Sequence, residues 1–204
     1  MNKESARERQ KRVVEAGGNW EEYVRLYLSE KLKNTKIEII KGNEKEIKER
    51  SERLWKLLSL PLKSSSNIEN VWGDIDLVAI KDELPITIIS CKLSLHGRFT
   101  ETLFWSLLYR MLTKIKVVLA TPDAGRQQKE DKWESEWGTP DNPTKDRLLA
   151  QSYLDGVYVE NLKEFCRGIK EGQQTVFGGI VRPLHELPED IIKWSKDISK
   201  FLTI

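Results

Sequence analysis

Cysteine, histidine and methionine each occur only twice in this 204-residue chain. Cys91 and Cys166 form no CxxC pair and join no Cys/His cluster, which excludes the usual structural zinc sites. Cys91 lies in an apolar segment, which argues against a secreted disulfide scaffold. His96 and His185 lack ligand spacing. No apolar run approaches the roughly 18 residues of a membrane span. The charged N-terminus carries no signal-peptide core, so the expectation is a cytoplasmic protein away from membranes. Lys81-Asp82-Glu83-Leu84 spells a retention signal, but an internal one carries no sorting meaning. Charge of one sign is lacking too, since 34 Lys+Arg against 32 Asp+Glu leave +2. A nucleic-acid-binding face must therefore come from local clustering, with acidic residues elsewhere offsetting it in the total.

What is present is enough apolar residue, 39%, to build one core. The chain 1–204 is expected to be a single domain, with a helical N-terminal extension over 1–16 and a C-terminal subregion over 156–204 that has no readable motif. Residues 4–16 read as a charged helix stopped by Gly17-Gly18. A second helix, capped by Asn19, runs to about Lys33 with Trp20, Tyr23, Val24, Tyr27, Leu28 and Leu32 at helical spacing. Glu21 borders that stripe and Glu22 points away. Ile37–Ile40 is a strand. Glu44 to Leu58 is a helix ended by Pro61, and Ser64-Ser65-Ser66 is a loop. A helix from about Phe99 to Thr113 should bury Phe99, Leu103, Phe104, Leu107, Leu108, Met111 and Leu112. Lys116–Thr121 is a strand. Residues 122–143, with three prolines, form a long surface loop. A helix near Lys145–Tyr153, a strand at Val157–Val159 and a helix from about Pro188 to Phe201 follow. The sum is an α/β (α+β) fold, a mixed sheet flanked by helices.

Chemistry concentrates in two apolar segments joined by the turn Lys81-Asp82-Glu83-Leu84 and Pro85. Gly73–Ile80 contains Asp74 and Asp76 on one face, and Ile86–Lys92 ends with Ser90 and Lys92 on one face. A carboxylate inside an apolar strand is expensive unless partnered, so Asp76 asks for a reason. Hard oxygen ligands at a sheet edge suit Mg²⁺, which keeps several of its waters. Asp76, Asp74 and the backbone carbonyl of Cys91 are the candidate ligands, and Lys92 is placed to orient an attacking water and offset phosphate charge.

Asp76, fifteen residues and then Lys92 at the end of an apolar strand resembles the PD-(D/E)xK nuclease superfamily, specifically its Type II restriction endonucleases. The order helix–strand–strand–strand–helix–strand from about Trp20 to Thr121 is similar to that family's core. The resemblance implies a restriction-endonuclease-like fold, Mg²⁺-dependent cleavage of double-stranded DNA and, for a palindromic site, a homodimer. Ser90 stands where the family usually carries Asp or Glu. Some similar enzymes place that carboxylate on the following helix, which singles out Glu101. Glu21 resembles the acidic residue many members carry on their first helix. In the strand-to-helix passage, Ser94, His96 and Arg98 resemble residues that meet the DNA backbone.

Each candidate also has a plainer reading. Asp74 suits a turn start. Glu101 and Glu21 suit a helix N-terminus. Lys92 alone would be an ordinary strand-end lysine, and Ser94 and His96 ordinary loop residues. Arg126, Gln127, Gln128 and Lys129 bear the side-chain types that read base edges, and equally suit a solvated loop. Pro122-Asp123 with Glu130-Asp131-Lys132 matches the literal motif string, but no apolar strand carries its second half, and a polar loop would not hold a site rigidly. Two rivals remain: a junction-resolvase-like nuclease of the same fold, and a DNA-binding module that has lost its chemistry.

Overall fold

A computed structural model of the chain describes residues 6–63, 67–95, 99–123, 125, 134–163, 166 and 181–197. The chain runs through α1 (Ala6–Leu32), β1 (Ile37–Lys41), α2 (Glu44–Arg50), α3 (Glu52–Leu58), β2 (Leu60–Lys63) and β3 (Ile68–Val71). Then come β4 (Leu77–Lys81), β5 (Leu84–Cys91), α4 (Phe99–Leu112) and β6 (Lys116–Thr121). The last elements are α5 (Lys145–Tyr153), β7 (Gly156–Val159), β8 (Val181–Pro183) and α6 (Leu187–Asp197).

The main sheet has the order β1-β4-β5-β6-β7-β8. Its β1–β4–β5 half is antiparallel and its β5–β6–β7–β8 half parallel. Such a sheet is covered on both faces, so its central strands read as unbroken apolar runs. Leu77, Val78, Ala79 and Ile80 are all buried, as are Val117 to Ala120. One core layer lies under α1 and α6, around Val24, Leu28, Leu77, Ile89, Val118 and Ile191. The other lies under α3, α4 and α5, around Leu58, Val78, Ile88, Leu119, Trp137 and Ala150. The mixed sheet between helices agrees with the fold expected from the sequence.

Local details differ from those expectations. Gly17-Gly18 does not stop a helix: α1 is continuous, because a helical glycine costs only about 1 kcal/mol relative to alanine, and a Cβ added at either position would meet nothing within 4 Å. The expected helix from Glu44 to Leu58 is broken at Ser51, whose extended backbone lets its hydroxyl accept from Leu54 N and cap α3. Pro61 begins no loop but sits in a small antiparallel pair, β2–β3; residues 64–66 lie outside the described residues. The β4–β5 turn is tighter than four residues, with Asp82 and Glu83 both at positive φ and Lys81 paired to Leu84. The long segment after Pro122 is anchored at its far end, where Trp137 is fully buried and Gly138 bridges Pro143. A further strand, β8, which the sequence did not suggest, pairs in parallel with β7 at the end of the sheet.

The largest departure is α4. Its sheet-facing side carries Phe99, Thr102, Ser106 and Tyr109, all buried. Phe104, Leu107, Met111 and Leu112 point outward, with Met111 71% exposed. Hydroxyls can face a core when each finds a partner. Ser106 Oγ donates to the Tyr153 carbonyl at 2.6 Å, and Tyr109 donates to the Leu58 carbonyl at 2.7 Å. These tethers set the rotation of α4 against the simple apolar pattern.

Candidate active site

Asp74 and Asp76 stand just before β4, and Lys92 just after β5, so the site occupies the end of the sheet where these two strands part. The approach is fixed by backbone. Gly42 N, at the end of β1, donates to the Asp76 carbonyl at 2.8 Å. A Cβ at Gly42 would fall 1.9 Å from the Ile75 carbonyl oxygen, so only glycine admits that contact. A Cβ at Gly73 would stand 2.8 Å from the Tyr109 hydroxyl, which ties the same lead-in to α4.

The side chains converge. Lys92 Nζ donates to Asp76 Oδ2 at 3.0 Å and to Asp74 Oδ2 at 3.2 Å. Asp76 Oδ2 also accepts from Cys91 N at 2.6 Å and from Ser90 Oγ at 3.3 Å. Lys92 is 8% exposed. Burial alone would lower its pKa, but the charges and hydrogen bonds of Asp76 and Asp74 outweigh that and hold it raised. Lys92 is therefore an ammonium at neutral pH, a donor and counter-charge rather than a proton acceptor. The register Leu77↔Ile89 places the aspartate lead-in beside the end of β5.

Glu21 arrives from α1. Trp20 Nε1 donates to the Ala120 carbonyl at 3.2 Å, and Lys92 N donates to that same oxygen at 3.1 Å. The first helix is thus pinned at the strand ends, with Glu21 on its border as expected. Burial first, and then the nearby charge of Asp76, push the Glu21 carboxyl above its ordinary value. Glu22 is engaged elsewhere, with Arg25 at 2.6 Å and Lys41 at 3.1 Å. Lys41 also acts on Glu21 through its charge. Sequence reading passed it over, because a lysine at a strand end looks like any other.

A family model described as BsaWI restriction endonuclease type 2 matches residues 45–176, nearly two-thirds of the chain. The chain belongs to that family of Type II restriction endonucleases. The matched span holds Asp74, Asp76, Lys92 and Glu101, while Glu21 lies before it. Among solved structures, the chain is similar to the AgeI restriction endonuclease in its DNA complex, with a TM-score of 0.68 and 17% identity over 94% of this chain and 71% of that one. That likeness establishes a shared fold. No curated protein matches the chain.

The remaining candidates of this family member fall in different places. Glu101 is exposed in the first turn of α4, and its neighbour Thr102 is the residue turned to the strands. Ser94 is half-buried in the passage after Lys92. His96, Arg98, Arg126, Gln127, Gln128 and Lys129 lie outside the described residues, as do Glu130 and Lys132 of the literal motif string. Asp123 of that string is described and engaged: it accepts from Ser135 Oγ at 2.5 Å and Glu136 N at 3.0 Å. Its role there is to close the loop, at a backbone φ of 59°. The thiol of Cys91 is buried, and burial raises it well above the ordinary cysteine value, so its backbone and not its sulfur is the group on offer to a hard cation.

Among the described residues, no three His, Cys, Asp or Glu side chains already form a group able to hold a metal. The donor set nevertheless fits Mg²⁺, which takes one or two carboxylates and otherwise keeps water. Among the described residues, the hydrogen bonds that Asp76 accepts on its side chain fall on Oδ2, which leaves Oδ1 for a cation. Asp74 shares the same ammonium and so faces the same point.

Proposed function

We propose that this chain is a Mg²⁺-dependent endodeoxyribonuclease that cleaves double-stranded DNA at a specific sequence. The observation that carries the reading is the Lys92 ammonium seated between the Asp74 and Asp76 carboxylates at the open end of β4 and β5. Asp76 and Asp74, with the Cys91 carbonyl, would hold the cation, which when bound offsets phosphate charge and acidifies a water. Lys92 positions that water and neutralises the scissile phosphate. Glu21 contributes a carboxylate whose proton affinity is raised, suited to contacting the water or the cation. Glu101, exposed in the first turn of α4, would contact bound DNA or the water on the cation.

A homodimer completes the reading. One site of this kind cuts one strand, and a duplex site with dyad symmetry calls for two sites related by the same symmetry. The outer face of α4 fits that contact, since its helix begins a few residues after Lys92. Its exposed Phe104, Leu107, Met111 and Leu112 make an apolar strip.

The test is a gel. Phage or plasmid DNA incubated with the protein and Mg²⁺ should give discrete fragments, lost with EDTA and lost by at least about a thousandfold in Asp76→Ala or Lys92→Ala. Full activity in either variant would overturn the assignment. Preference for branched over linear duplex would favour the resolvase-like reading instead. The inactive DNA-binding module draws on Ser90 in the motif position and on the outward Glu101; bound but uncut DNA would establish it.

A further inference from the structure

Asp76 is held by more than the lysine. Ser90 Oγ donates to Asp76 Oδ2, and Ser90 Oγ lies 3.1 Å from Thr102 Oγ1 on α4. A hydroxyl has one proton. If Ser90 gives it to the carboxylate, the proton in the second contact must come from Thr102. The direction of the chain follows: Thr102 O–H to Ser90 O, Ser90 O–H to Asp76 Oδ2. Both hydroxyls are buried, each residue being 3% exposed, so water cannot substitute freely for either. We infer that Thr102 is a positioning residue for the candidate metal site, acting through Ser90 to fix the rotation of the Asp76 carboxylate and so aim Oδ1 at the cation. The inference rests on the nuclease reading above and deepens it. It also gives the departure at Ser90 a physical meaning. In the position where the superfamily usually carries a carboxylate, this chain carries the middle link of a hydroxyl relay that reaches the following helix at Thr102, the neighbour of Glu101.

Carboxylates that ligate metals are themselves hydrogen-bonded, and loss of such a partner weakens metal binding by about tenfold or more. The experiment measures Mn²⁺ binding to the free protein by titration calorimetry, without DNA or turnover, alongside thermal melting. Thr102→Val keeps the shape and removes the donor; it should weaken Mn²⁺ binding about tenfold with the melting temperature nearly unchanged. Thr102→Ser, which keeps the hydroxyl, should bind within about twofold of the parent. Ser90→Ala should weaken binding at least as much as Thr102→Val, and adding Thr102→Val to it should change little further, because the relay is already cut. Parent-like binding by Thr102→Val, or additive losses in the double variant, would overturn the inference while leaving the nuclease reading intact. A parent protein that takes up no Mn²⁺ would overturn the site itself and the relay with it. If Thr102→Val does not fold, the Thr102→Ser and Ser90→Ala pair decides: a Ser90→Ala protein binding Mn²⁺ like the parent overturns the relay.

Discussion

On α4 the side turned to the sheet carries Thr102, Ser106 and Tyr109, whereas the side turned to solvent carries Phe104, Leu107, Met111 and Leu112. The usual amphipathic helix turns its leucines inward and its hydroxyls outward; here the inner side buries Phe99 and Tyr109 with two smaller hydroxyl residues, while Leu103 and Leu108 pack only partly against the core. The inner face works because each hydroxyl has a named partner: Ser90 Oγ for Thr102, the Tyr153 carbonyl for Ser106 and the Leu58 carbonyl for Tyr109. Hydrophobic burial is non-directional, while a hydrogen bond fixes a position. A helix tethered by three directed contacts therefore holds the end of β5 and the lead-in to β4 in place, where the carboxylates and Lys92 must meet. The outer face has no such duty. Its exposed apolar strip is the kind of surface that monomeric proteins rarely keep uncovered.

Replacing residues on each side separates these roles. The largest effect belongs to the inner face: Tyr109→Ala should destabilise the fold by about 3–5 kcal/mol, read by chemical denaturation, since it deletes a buried ring as well as the tether. A loss under about 1 kcal/mol would mean that the inner face is not a core. Leu107→Asp on the outer face should leave monomer stability within about 0.5 kcal/mol yet weaken the proposed self-association at least about tenfold in sedimentation velocity. If that variant unfolds instead, the outer strip is a core face and the contrast fails. Ser106→Ala is milder, about 1 kcal/mol, because one hydrogen bond is lost and a carbonyl is left without its donor; equilibrium unfolding measures it.

The smallest shift concerns the site that the inner face supports. Burial and the charge of Asp76 raise the Glu21 carboxyl, so the folded state holds that proton more tightly than the unfolded chain does. The stabilising contribution is present below the ordinary carboxylate range and is lost as pH rises through the raised value. Glu21→Gln should accordingly raise the melting temperature of the metal-free protein slightly at neutral pH and leave it unchanged near pH 3. A lower melting temperature at neutral pH would contradict the repulsion between Glu21 and Asp76.

Asp76 and Lys92 stood out in the sequence because each interrupts or ends an apolar run, and that reading depended only on local contrast. Trp20 stood out through helical spacing on the helix expected after Asn19, and Glu21 through its resemblance to the acidic residue of the family's first helix, although the break expected at Gly17-Gly18 is absent. Thr102 did not, since a threonine in the first turn of a helix full of leucines carries no signal until Ser90 is seen opposite it. The orientation of α4 was misread for the same reason: Leu and Phe at helical spacing mark an apolar face but do not say whether a sheet or another surface covers it. Ser51 and the β2–β3 pair were missed because capping and short pairings are decided over a few residues, within a pattern that a longer helix or a loop explains equally well.

The sequence by itself determined the central strands β1, β4, β5, β6 and β7 and the acidic and basic residues at the ends of β4 and β5, because burial on both faces of a sheet leaves an unmistakable run of apolar residues. Only the tertiary structure decided which groups share a hydrogen bond. Lys92 between two carboxylates, the carbonyl of Ala120 shared by Trp20 and Lys92, and the hydroxyls of Ser90 and Thr102 facing each other join residues far apart in the chain. Such contacts depend on angles and distances of a few ångströms between separate elements, and no periodicity along a single segment encodes them.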